Sequence, residues 1–179
     1  TPIFGWEKYL GVLDNNGTVT AQRFYNQGQR LPSAEDKAQA DRWHYLTIVY
    51  TENNIIVYEN GEKIAEADNN ASLSDIFGSD SIWYIGKANW IKGNGEKGEH
   101  FRGWIDNYKV VSRAWTAEEV KTEALKYVDK SILQAAVDNQ TAADQSQYIK
   151  GRWETYQAAL KTAQDTLADK QALQSAVDP

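Results

Sequence analysis

The sequence predicts an all-β sandwich followed by a small all-α bundle of three helices. Three observations point there. Turn residues punctuate the chain between residues 7 and 112 as they do antiparallel strands, the period changes from two to three and four after Trp115, and the segment "DKSILQAAVD" at 129–138 returns as "DKQALQSAVD" at 169–178. The first pattern is that of strands, the second that of a helix face, and the third that of a helical repeat. A chain of 179 residues has room for one ordinary domain and a small appendage. The boundaries read as a sandwich portion at 1–115, a connecting helix at 116–128 and a helical module at 129–179.

The β elements are separated by turn residues. "EKYLGVL" runs through "DNNG" into "TVTAQRFY", and "NIIVY" runs through "ENG" into "EKIAEA". Asn16-Gly17 and Asn60-Gly61 supply the positive φ angles that two-residue hairpin turns demand. Between the hairpins, "DRWHYLTIVYT" places His44, Leu46, Ile48 and Tyr50 on one side and Trp43, Tyr45, Thr47 and Val49 on the other. Both sides carry apolar bulk, so this strand is expected inside a sandwich rather than on a solvated sheet. "SIWYIGKA" and "FRGWIDNYKVV" repeat that character and are expected as further strands.

Thr116 followed by Glu119 is a capping box, and "TAEEVKTEALKYV" contains nothing to stop a helix before about residue 128. Ile149, Trp153, Tyr156, Leu160, Ala163 and Leu167 alternate spacings of four and three, one face of a long helix. With a matching ten-residue segment on either side, the tail reads as a three-helix bundle, or as one repeat followed by the first helix of the next.

Composition narrows the function. A net charge of -6, from 25 acidic and 19 basic residues, lacks the basic footprint that phosphate neutralisation requires, so neither nucleic acid nor an anionic membrane is an expected partner. The absence of cysteine removes disulfides, thiolate catalysis and cysteine-based zinc sites, and two histidines, His44 and His100, do not make a metal cluster. Aromatic weight is the positive signal, with 7 Trp and 10 Tyr against 4 Phe. A ring with a polar handle can stack on a sugar while its N–H or O–H finds a partner, although such rings serve cores equally well.

Residues 42–120 carry an ordered set of motifs: "RWHYLTIVY", "VYENGEKIA", "WYIGKA" and "FRGWIDNYKVVSRAWTAEEV". Together they resemble the C-terminal portion of the laminin-G-like, concanavalin A-like jelly roll found in many secreted bacterial glycoside hydrolases. The tail, through "DKSILQAAVD" and "YIKGRWETYQAALKTAQDTLAD", resembles the FIVAR module, a short three-helix unit of Gram-positive secreted and wall-attached proteins. Its third helix is usually longer than "KQALQSAVDP" allows. The resemblance implies an extracellular, cell-wall-associated accessory region of a carbohydrate-active enzyme, binding glycan or buttressing a catalytic domain. The rival reading is a structural or adhesive surface spacer with no sugar site.

Candidate sites follow from residues and resemblance together. The segment "ANWIKGNGEKGEH", 88–100, has the glycines and balanced charge of a surface loop, in which Trp90 would offer a ring to a carbohydrate with Asn89, Asn94 and Glu96 as hydrogen-bonding neighbours. The alternative is a long hairpin whose Trp90 folds back onto the sheet. Asp106 interrupts an apolar face shared with Trp104, Tyr108 and Val110. A carboxylate buried there must be paired or bound to a cation. The resemblance implies a structural Ca2+, with main-chain oxygens as co-ligands, and the alternative is a hydrogen bond to a neighbouring turn. His44 is expected as a satisfied strand histidine.

A glycosidase needs two carboxyl groups about 5 to 9.5 Å apart across a cleft. The acidic residues here fall in turns ("LDNNG", "YENGE", "EADNN") and on helix faces, so this chain is expected to be non-catalytic. One further expectation concerns completeness. In the resembling family several strands precede the one that "EKYLGVL" matches, whereas here six residues do. The sandwich is therefore expected to be incomplete in this chain, with strands from an N-terminal portion of the same polypeptide completing its sheets.

Overall fold

The computed structural model describes residues 2–6, 10–15, 18–23, 29–37, 42–69, 83–86, 101–140 and 145–177. The chain divides into two compact units, Thr1–Val120 and Lys121–Pro179. The division falls within a helix that the capping box begins.

The first unit holds two antiparallel sheets. One has five strands in the order β4-β3-β2-β1-β8, from β1 (Pro2–Trp6), β2 (Leu10–Asn15), β3 (Thr18–Arg23), β4 (Gln29–Lys37) and β8 (Trp83–Ile85). The other has three, β5 (Leu46–Tyr50), β6 (Asn54–Glu59) and β7 (Glu62–Asp68), in sequence order. The Cα trace of β4, an outer strand of the first sheet, runs close to β7 and β6 of the second. Strands β1 and β4 were not expected. Pro32 explains the place of β4, because a residue without an N–H is tolerated on an outermost strand, and its register against β3 shifts on both sides of Thr20.

Local chemistry accounts for the three-stranded sheet. At the β6–β7 hairpin Asn60 and Gly61 take φ of 51° and 89°, the two consecutive positive angles that the Asn-Gly signal predicts. Asn60 also extends the pairing beyond β5: its N–H donates to the Tyr45 carbonyl (2.7 Å) and its Oδ1 accepts the Tyr45 N–H (2.8 Å). At the β5–β6 turn Thr51 Oγ1 accepts the Asn54 N–H (2.8 Å), while buried Asn69 donates from its side chain to the Thr51 carbonyl (2.7 Å). The expected alternation is present. Leu46, Ile48 and Tyr50 join Ile55, Val57, Ile64 and Ala65 on one face, and Val49 joins Ile56, Tyr58, Trp115 and Val120 on the other. Burial pushes the Tyr50 hydroxyl pKa up. His44 is satisfied as expected, its Nδ1 lying 2.6 Å from Glu59 Oε1 across the β5–β6 pair.

On its second face this sheet meets Trp115 and Val120. α1 (Ala117–Ala124) begins at the predicted capping box, where the Glu119 N–H donates to Thr116 Oγ1 (3.2 Å) and the Thr116 N–H donates to Glu119 Oε2 (2.8 Å). Val120 is fully buried against Val49 and Tyr58.

One expected strand is absent from both sheets. "FRGWIDNYKVV" has the alternation of a strand, yet residues 104–111 pair with no strand among the described residues, and every residue from 102 to 114 is exposed. Alternation encodes an extended backbone with two faces; it does not supply the neighbour that turns such a backbone into sheet. The reading of Asp106 as an inward-facing, buried carboxylate is corrected with it, since Asp106 is exposed.

The second unit contains α2 (Ser131–Gln140), α3 (Lys150–Ala168) and a single turn, α4 (Gln174–Val177). Two contacts make α2 and α3 antiparallel. Lys130, before α2, donates to carbonyls at the end of α3, and the Tyr156 hydroxyl donates to the Gln140 carbonyl at the end of α2. The predicted stripe Trp153, Tyr156, Leu160, Ala163 and Leu167 is the less exposed side of α3, but no residue of that helix is buried, and Ile149 is 71 % exposed. Trp153 is half-buried, in a cluster with Tyr148 and Tyr156 at ring-centroid distances of 5.3 to 5.8 Å. Among the described residues the third element is one turn long, so two helices and a single turn are described where a bundle of three was expected.

Candidate binding surface

The exposed span 102–114 is held at both ends. At its start the Phe101 N–H donates to the Gly86 carbonyl (2.8 Å), directly after β8. Gly86 has φ of 75°, a conformation that favours glycine, and the Ile105 side chain lies against it. At the other end Trp115 and Val120 pack against β5 and β6. Arg113 forks onto Glu119, with Nη1 2.9 Å from Oε2 and Nη2 2.5 Å from Oε1, and this pair fixes the entry to α1. The Arg113 guanidinium and the Thr116 N–H hold the Glu119 carboxyl down to about 2.

Between these anchors the span presents apolar side chains on both of its faces. Trp104 is 86 % exposed and Val110 58 %, and Ile105, Tyr108 and Val111 are exposed as well. Desolvation pushes the Tyr108 hydroxyl up to about 12. Lys109 reaches back over Trp115, its Nζ 5.7 Å from the ring centroid. Asn107 has φ of 52° and donates its N–H to Asp106 Oδ1 (2.7 Å), so a polar kink sits in the middle of the apolar span. An isolated extended span with large apolar groups on two faces has two chemical uses. It can pair with further strands, or its rings can stack on a flat apolar ligand.

The predicted site residues Asn89, Trp90, Asn94 and Glu96 lie outside the described residues. Asp106 lies on the span, as an exposed carboxylate engaged with its neighbour's N–H. Among the described residues no group of three or more His, Asp or Glu side chains gathers that would hold a metal ion. Sequence reasoning missed Trp104, which it assigned to an inward face. No local signal marks it, because a tryptophan on the covered face of a strand and one on an uncovered face have the same neighbours in sequence. Among the described residues no helix is long and apolar enough to cross a membrane.

A family model described as the concanavalin A-like lectin/glucanases superfamily matches residues 5–121. That range takes in both sheets except the first three residues of β1, the exposed span and the first turn of α1. Among curated proteins there is no match. Among solved structures, the S-layer domain-containing protein of Clostridium thermocellum ATCC 27405 (residues 221–444) aligns at 20 % identity with a TM-score of 0.43, over 69 % of this chain. This chain spans 62 % of that structure.

Proposed function

We propose, from the premise that the chain belongs to the concanavalin A-like lectin/glucanase superfamily, that it is a non-catalytic accessory region of a secreted, cell-wall-associated carbohydrate-active protein of a Gram-positive bacterium. The observation that carries the reading is the span 102–114, anchored at both ends and apolar on two faces. Strands from an N-terminal portion of the same polypeptide pair with it and complete the sheets, so that the accessory region and whatever precedes it form one body. Trp104, Ile105, Val110 and Val111 are then the buried centre of an interface of the obligate kind. The FIVAR-like helices act as a spacer, and the glycine-rich loop takes a carbohydrate through Trp90, Asn89, Asn94 and Glu96.

The calcium expectation belongs to the same completion. A Ca2+ takes six to eight oxygens, so Asp106 would hold one together with main-chain oxygens, including those of the added strands. Chelator would then lower the melting temperature of the completed protein and leave its Asp106→Asn variant unchanged. Equal melting with and without chelator removes the site.

The test of the main reading is to mix this chain with the preceding portion of its parent polypeptide. They should co-elute, and Trp104→Asp should separate them. Independent elution of the wild type contradicts it. Retention on a glycan array that is lost in Trp90→Ala, with the melting temperature unchanged, supports the sugar site. A wild type retained on no glycan favours the rival, a structural spacer.

A further inference from the structure

The chain enters and leaves the pair of long helices at places that are tied to each other. Buried Gln174, in α4, pairs with the main chain of Asp129 in both directions: its Oε1 accepts the Asp129 N–H (2.8 Å) and its Nε2 donates to the Asp129 carbonyl (3.1 Å). The carboxamide does for Asp129 what a neighbouring strand would do. Asp129 is also fixed to the head of α2, because its Oδ1 accepts the Ser131 N–H (2.9 Å). One residue on, Lys130 Nζ donates to the carbonyls of Thr166 (3.1 Å), Leu167 (3.1 Å) and Asp169, at and just past the end of α3, where carbonyls lack helical partners. Ala172 and Val177 are buried on either side of Gln174, so the closing turn is a covered segment.

These bonds close a large loop of chain. Asp129 and Gln174 are 45 residues apart in sequence, and the Lys130 bonds span 36, 37 and 39. Tension along the chain arrives at Asp129 from the side of α1 and leaves beyond Val177, so it crosses from entry to exit through Gln174 and does not pass along α2 or α3. Both helices lie inside the loop. Their far ends are joined separately, by the Tyr156 hydroxyl donating to the Gln140 carbonyl. α2 has 10 residues, and α3 has 19 with none buried. Helices of such length owe most of their stability to packing, so neither is expected to outlast the opening of the loop under load.

We infer that the pairing of Gln174 with Asp129, backed by Lys130, is a force-bearing clasp: it keeps the helical unit at constant length under tension and, when it opens, releases the enclosed chain in a single step. A loop of 45 residues yields about 150 Å of extended chain, at about 3.3 to 3.6 Å per residue. The clasp is a property of the tail alone, whatever the sandwich binds. In the spacer role proposed above it sets a length that holds up to a threshold load.

The full chain has no cysteine, so handles for optical tweezers can be attached through introduced pairs. Tyr127→Cys with Asp178→Cys puts the clasp under load, and Asn139→Cys with Lys150→Cys pulls the far ends of α2 and α3 apart. With the first pair the unit should open in one step of about 150 Å, and Gln174→Leu and Lys130→Met should each lower the rupture force. With the second pair neither substitution should change the force of first opening, because the clasp is loaded only after the helices have parted. Helical circular dichroism at rest checks that each variant is folded; if Gln174→Leu alone has lost that signal, Lys130→Met carries the same comparison. Opening through the first pair in several smaller steps, a rupture force there that the substitutions leave unchanged, or an equal fall with both pairs would each overturn the inference.

Discussion

Residues 46–59 and residues 101–112 carry the same alternating apolar pattern and have opposite fates. In β5 and β6 one face packs on Leu46, Ile48 and Ile64 while the other is closed by Trp115 and Val120. In the later span the corresponding side chains stand in solvent, and its backbone belongs to neither sheet. Pattern alone makes a strand competent; what buries it is a neighbour brought by the rest of the chain. A hairpin such as β6–β7 carries its neighbour two residues away, and the span does not.

Substitutions should separate the two regions. The largest effect is expected in the paired sheet: Ile55→Ala removes a side chain that is 1 % exposed and should cost about 2 to 5 kcal/mol, read as a shifted denaturant midpoint. Next comes Trp153→Ala. A half-buried ring in a cluster of three should cost about 1 to 3 kcal/mol of the helical unit's stability, less than a closed core would demand. Thr116→Ala deletes the acceptor for the Glu119 N–H at the head of α1 and should cost about 1 kcal/mol. Trp104→Ala should change the stability of this chain by under about 0.5 kcal/mol, because its ring is already in water. A loss as large as that of Ile55→Ala would erase the contrast between the two regions.

Acid sharpens the same contrast weakly. The Glu119 carboxyl sits at about 2 in the fold against an ordinary 4.5, so its contribution is fully present above about 4.5 and is lost as pH falls through about 2. The pair is exposed and screened, so the change should be small; Arg113→Met should remove the part of the acid dependence between those values, which a pH series of melting temperatures would show.

Much of the fold was legible where the chemistry is local. Asn60-Gly61 and Thr116 with Glu119 each act within a few residues, and each appears as read, whereas the second copy of the Asp-Lys segment forms one turn and not a helix matching the first. β4 was hidden because "QRLPSAEDK" has neither alternation nor bulk; its pairing comes from β3. The exposure of Asp106 was equally out of reach, since it depends on whether strands distant in sequence cover the span. The glycan candidates Asn89, Trp90, Asn94 and Glu96 lie outside the described residues.

Hydrogen exchange is the most direct test of the claim that 102–114 is a strand awaiting its neighbours. In this chain alone the amides of residues 104–111 should exchange far faster than those of β6, which are strongly protected. With the preceding portion of the parent polypeptide bound, alternate amides of the span should become as slow as those of β6. Protection of the span in the chain alone, or fast exchange that persists in the complex, would contradict the account.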